Sequence, residues 1–152
     1  MIEAVRKKLF SGQYSLRADD QEVAVLKTAC RKAELKYAKN RYTMRMQGWL
    51  NQKHILEGDA IRIVRSANFG ALRTFRQLEY ADKRYEIKVA SKHSLDSSFY
   101  NSIEIYDSTK IVGSVSSQDW LQKKIVIDLP CDWPIPIQAF IFWAGLPLMS
   151  PG

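Results

Sequence analysis

The chain has 152 residues, 46% of them apolar and 26% charged, with 7 Gly and 5 Pro. That balance suits one compact domain and excludes a disordered tail or a fibrous repeat. Its 23 Lys and Arg against 16 Asp and Glu leave a net charge of +7, which biases the surface toward anionic partners without naming one.

Residues 1–12 are expected to form an N-terminal arm. Ile2, Val5 and Leu9 recur at helical spacing with Arg6, Lys7 and Lys8 on the other side, as in a short interfacial helix, so these three cations are candidate membrane contacts. Ten residues make a marginal helix in water, and an arm packed across a barrel mouth is the competing expectation. No apolar run of signal-peptide length stands here, so the expected location is cytoplasmic, peripheral to a membrane if the contacts are real.

From residue 13 to residue 130 the pattern is that of short strands. Residues 35–46 align without a gap on residues 78–89, with Leu35/Leu78, Tyr37/Tyr80, Ala38/Ala81, Arg41/Arg84 and Tyr42/Tyr85 identical. Each copy reads as a strand, a polar turn and a second strand whose side chains alternate, with Tyr42, Met44 and Met46 on one face and Arg41, Thr43 and Arg45 on the other. A second element, an apolar strand end followed by an acidic turn and another apolar strand, recurs around Asp19-Asp20, Gly58-Asp59 and Asp107-Ser108. Residues 21–40 are rich in Ala, Glu, Lys and Leu and can also be scored as a helix begun by Asp19 or Asp20. The repeat argues against that, since Tyr37 must sit where Tyr80 sits. A final strand carries Ile125, Ile127 and Leu129 on one face, and Pro130, Pro134 and Pro136 then stop sheet pairing.

Residues 135–149 are apolar on every side apart from Gln138. At 1.5 Å per residue they cover roughly 22 Å of a 30 Å hydrocarbon core, so a buried helix is expected rather than a membrane span. A dozen strands must hide their edges, and an all-apolar helix must be enclosed. The expected fold is therefore mainly β, one domain built as a closed antiparallel barrel of about 12 strands around a hydrophobic C-terminal helix.

The paired hairpins, the Val112-Gly113-Ser114-Val115 strand, the Ile127-Asp128-Leu129-Pro130 step and the apolar terminal helix resemble the tubby C-terminal-like superfamily, which includes the LURP-one-related proteins and the phospholipid scramblases. The resemblance covers residues 14–149 and implies a twelve-stranded closed barrel around a central helix, with a membrane-associated or scaffolding role. Tubby domains bind phosphoinositides through a basic site. That head-group motif has no residue-by-residue counterpart here, and neither has the calcium-binding segment of the scramblases.

Alternation places Arg41, Arg45, Arg84 and Lys88 on the outward face of two equivalent strands, where they are candidate lipid head-group ligands. A solvated barrel exterior is the competing reading. The pairs Arg31-Lys32, Lys83-Arg84 and Lys123-Lys124 are expected at turns. His54 and His93 lie in no metal-ligand spacing and read as surface histidines, and Cys30 and Cys131 stand outside any CxxC spacing and read as reduced structural thiols. No GxSxG, Walker-type or GxGxxG segment is present, so no enzyme activity, metal or cofactor is expected. Nucleic acid is a weaker alternative, because the alternation that exposes Arg41 and Arg84 turns Tyr42 and Tyr85 inward, away from any stacking surface. A protein-interaction or structural module without a lipid ligand, self-associating through an uncovered strand or through Trp49 and Trp120 at exposed loops, is the remaining alternative.

Overall fold

The structure is a computed structural model describing residues 1–8, 11–48, 53–58, 61–68, 75–90, 102–117 and 124–149. Side-chain surroundings are described for these except 61–68, 75 and 76. Among the described residues there are twelve strands and one helix. The strands are β1 (Ile2–Arg6), β2 (Gln13–Ala18), β3 (Gln21–Ala29), β4 (Lys32–Tyr37), β5 (Asn40–Gln47) and β6 (Lys53–Gly58), then β7 (Ile61–Asn68), β8 (Phe75–Tyr80), β9 (Lys83–Val89), β10 (Ser102–Asp107), β11 (Lys110–Ser117) and β12 (Lys124–Asp128). The helix α1 is Ile135–Met149. Each strand pairs antiparallel with its neighbours in the chain, and β1 pairs with β12 as well as with β2, so the order closes into a barrel.

The first residues depart from expectation. They form neither an arm nor a helix but the strand β1, with Ile2 opposite Ile127 and Ala4 opposite Leu16 and Ile125. Two signals compete in this segment, the helical spacing of Ile2 and Val5 and the period-two pair Ile2 and Ala4. The second prevails because both of those side chains are buried, while the backbone groups of β1 pair on both sides, which a ten-residue helix could not match in water.

Residues 21–40 are strands β3 and β4, as the repeat requires. The β4–β5 and β8–β9 hairpins bury equivalent strand positions, though both turn residues of the second, Ala81 and Asp82, have positive φ and only Ala38 does in the first. Leu35 and Leu78 are fully buried, as are Met44 and Ile87, while Tyr42 and Tyr85 are 5% and 7% exposed. Tyr37 and Tyr80 both pack partly buried against the core. The second recurring element also has a physical form. Hairpins β2–β3, β6–β7 and β10–β11 each shift register shortly before the turn, at Leu16/Arg17, Leu56/Gly58 and Ile105/Tyr106. Such bulges add local twist, which curves a sheet. Tight turns close the hairpins: Asp19 and Asp20 have φ of 51° and 63°, Ala81 and Asp82 of 53° and 61°, the paired positive values of a type I′ turn.

Helix α1 lies inside. Eleven of its 15 residues are buried, Phe140 and Phe142 completely, and each such aromatic contributes on the order of 1.5–3 kcal/mol. Pro136 stands in its first turn, where no intrahelical donor is required. The buried Gln138 is satisfied at once, its Nε2 donating to the carbonyl of Trp133 at 2.8 Å. Gly145 is where the helix comes closest to the wall, since any Cβ there would collide with the side chain of Ile103. On β11, a Cβ on Gly113 would meet the carbonyl of Asp128 and Leu129 Cδ2, both at 2.7 Å.

If the helix carries the core, Phe140→Ala lowers the unfolding free energy by about 3–5 kcal/mol, read as a shift in denaturant midpoint at unchanged slope. Ile111→Ala, at a side chain 51% exposed on β11, changes it by less than about 0.5 kcal/mol.

Candidate anion-binding surface

Arg41 and Arg45 on β5, and Arg84 and Lys88 on β9, are all exposed on the outer wall, as the alternation predicts. The fold does not bring the two pairs together. Strands β6, β7 and β8 separate them, which at about 4.8 Å per strand is roughly 19 Å around the wall. Three of the four are engaged by carboxylates. Arg45 Nη2 lies 2.6 Å from Glu57 Oε1, Arg84 Nε 3.7 Å from Glu79 Oε1, and Lys88 Nζ 3.0 Å from Glu86 Oε2. Lys88 also stands 5.1 Å from the centre of the Tyr106 ring, whose hydroxyl donates to Glu104 at 3.0 Å. That bond, with the Glu104 charge, raises the Tyr106 phenol above its usual pKa.

A different set of cations converges because of the meander. Successive antiparallel strands send alternate connections to opposite ends of the barrel. The turns at 19–20, 38–39, 81–82 and 108–109 and the segment from β12 into α1 fall at one end. Every described aspartate is at that end: Asp19, Asp20, Asp82, Asp107, Asp128 and Asp132. The other end receives Lys7 and Lys8 after β1, Lys27 near the end of β3, Arg31 in the β3–β4 turn, and the first residues of β4, β6 and β12, which are Lys32, Lys53 and Lys124.

Some of these are committed. Lys7 Nζ is 3.7 Å from Glu22 and Lys124 Nζ 3.2 Å from Glu3. Arg6 Nη2 donates to the Tyr14 hydroxyl at 2.8 Å. Its Nε is buried with no hydrogen-bond partner among the described residues. Arg31 Nη2 donates to the carbonyl of Gly48 at 2.9 Å. Lys8, Lys27, Lys32 and Lys53 are exposed and, among the described residues, form no ion pair. Even Glu34, the register partner of Lys27, forms none with it.

The C-terminus of α1 emerges within this lysine end. Tyr14 and His54, near the lysine ends of β2 and β6, meet Phe142 and Trp143 edge-to-face at centroid distances of 5.1 and 4.9 Å. At the aspartate end, Trp133 is held by Tyr80 and Tyr85 at 5.5 and 5.2 Å. The exposed Pro147 and the partly buried Leu146 and Leu148 sit at the helix terminus. Its last turn carries no basic residue.

Several expectations are corrected by these positions. His54 is not a surface residue. Alternation on β6 turns it inward with Leu56, and it is 2% exposed against Trp143. Cys30 and Cys131 are free but exposed rather than structural, because each falls in a turn, at opposite ends of the barrel. Trp49, Trp120 and His93 lie outside the described residues, and so does Lys123. Among the described residues, no group of three His, Cys, Asp or Glu side chains is placed to hold a metal ion, and no helix is long and apolar enough to cross a membrane.

Burial and the neighbouring Asp132 raise the Tyr80 phenol above 10.0. The unfolded chain therefore loses this proton first, and the group's contribution to stability is present below about pH 10 and lost as pH rises toward the folded pKa. Denaturant unfolding from about pH 9 to about 11 is expected to show a decline in stability that is smaller in Tyr80→Phe. No protein-family model, curated protein or solved structure matches this chain.

Proposed function

We propose that this domain is a non-catalytic module that binds anionic phospholipid at a membrane surface through the lysine end of its barrel. The observation that supports this reading is the segregation of charge. At one end Lys8, Lys27, Lys32 and Lys53 stand unpaired with no described aspartate, at the other the six described aspartates are interspersed with Arg17, Lys39, Lys83 and Lys110, and three of the four wall cations are already neutralised. Lysine ammonium groups on flexible stems suit many dispersed head-group phosphates better than one bidentate ligand. Each contributes about 1 kcal/mol near an anionic leaflet, so four together account for binding in the range of about a thousandfold over a neutral surface.

Membership of the tubby C-terminal-like superfamily is part of the same reading, supported by the strand number and the enclosed C-terminal helix. So is a place at the cytoplasmic face of a membrane, where anionic lipid is concentrated. Nucleic acid is disfavoured because Tyr42 and Tyr85, the neighbours of Arg41 and Arg84, are buried and offer bases nothing to stack on.

Co-sedimentation with phosphatidylcholine vesicles, with and without phosphatidylserine, tests this. The wild type is expected to sediment with the anionic vesicles only, and less as salt rises from about 0.01 M to about 0.15 M and the screening length falls from about 30 to about 8 Å. Lys8→Ala/Lys27→Ala/Lys32→Ala/Lys53→Ala is expected to lose about a hundredfold or more in affinity. Arg41→Ala/Arg45→Ala/Arg84→Ala/Lys88→Ala is expected to lose far less, since three of its four cations are paired. No sedimentation at low salt overturns the reading in favour of a protein-interaction module, and an equal loss in both variants overturns the assignment to the lysine end.

A further inference from the structure

Resting on that lipid reading, we infer that the domain docks end-on, with the barrel upright, the C-terminal turn of α1 against the head-group region and the Asp-rich end turned to water. Three independent features set this orientation. The unpaired lysines of this rim come from the ends of β1, β3, β4 and β6, so no single side of the wall presents these four together, and an approach along the barrel axis does. They occupy one arc of the rim, so the axis leans toward the β3–β4 turn at its middle. The second feature is the charge balance of the far end: Asp19, Asp20, Asp82, Asp107, Asp128 and Asp132 stand there among Arg17, Lys39, Lys83 and Lys110, so that end has no excess of positive charge to draw it to an anionic surface.

The third feature is apolar. Pro147 is exposed at the terminus of α1, and Leu146 and Leu148 are only partly covered by the core. They form an apolar centre beside the basic arc, the pairing that lets a peripheral protein combine electrostatic attraction with shallow contact at the head-group boundary. The occupant is thus a bilayer surface, charged at its phosphates and apolar just beneath, rather than a soluble polyanion. Binding should accordingly keep a component that salt does not remove.

The chain carries its own reporters, because Cys30 in the β3–β4 turn and Cys131 beyond β12 are exposed thiols at opposite ends. In the full chain, Cys131→Ser leaves Cys30 for a thiol-reactive nitrobenzoxadiazole label, and Cys30→Ser leaves Cys131. Vesicles of phosphatidylcholine and phosphatidylserine with brominated acyl chains then quench whichever label reaches the bilayer. The expected result is quenching of the Cys30 label several-fold stronger than that of the Cys131 label, with soluble heparin producing no blue shift at either site. If the labelled proteins sediment with the vesicles but Cys131 is quenched as strongly as Cys30, or neither is quenched, the end-on orientation is wrong while lipid binding stands. If the unlabelled wild type does not sediment with anionic vesicles, the lipid reading itself fails and this inference with it.

Discussion

A helix without a polar face has to be surrounded, and most of this molecule follows from that. Helix α1 buries eleven of its 15 residues and could not lie on a surface without exposing phenylalanine and tryptophan to water. The dependence is mutual, because a ring of twelve strands is too wide for its own side chains to fill. Small inward residues, Ala4, Ala24 and Ala33, stand among Leu16, Leu26 and Leu35 and leave the space the helix occupies. Buried polar side chains are few; Gln138 bonds Trp133, while Arg6 Nε has no hydrogen-bond partner among the described residues.

The enclosed helix also gives the barrel a direction. It enters past Trp133 at the aspartate end and terminates beside His54 and Tyr14 at the lysine end. The wall between the ends is comparatively quiet, since cross-strand and same-strand ion pairs such as Arg45–Glu57 and Lys88–Glu86 neutralise it. Exposed pairs of this kind add little stability. They leave the rim around the helix terminus as the end where described cations stand without described aspartates.

Much of the architecture was legible in the sequence because period-two alternation and internal repetition are local signals. Leu35, Tyr42 and Met44 predicted the burial of Leu78, Tyr85 and Ile87, and the all-round apolar run from Ile135 to Met149, too short to span a bilayer easily, pointed to an interior helix. The segment at Ile2 misled because its apolar residues fit two periods, and only pairing to β2 and β12, far away in the chain, decides between them. His54 misled for a related reason: one polar residue in an alternating strand is assigned by its face, not by its type. The lysine end was missed because its members are scattered from Lys8 to Lys53, and four outward cations on two repeated strands looked like the more coherent set. Summing charge over alternate connections of a meander would have found it, since that sum needs only the strand count and the up-and-down order.

Amide hydrogen exchange on the full chain, free and bound to phosphatidylserine vesicles, tests the union of an enclosed helix with a directional surface most directly. In the free protein, residues 137–145 of α1 should exchange only through global unfolding. Binding should add protection at residues 27–32 and none at the turns 19–20 and 81–82. A helix that exchanges faster than the strands around it, or new protection at the aspartate end, would contradict both the enclosure and the polarity that follows from it.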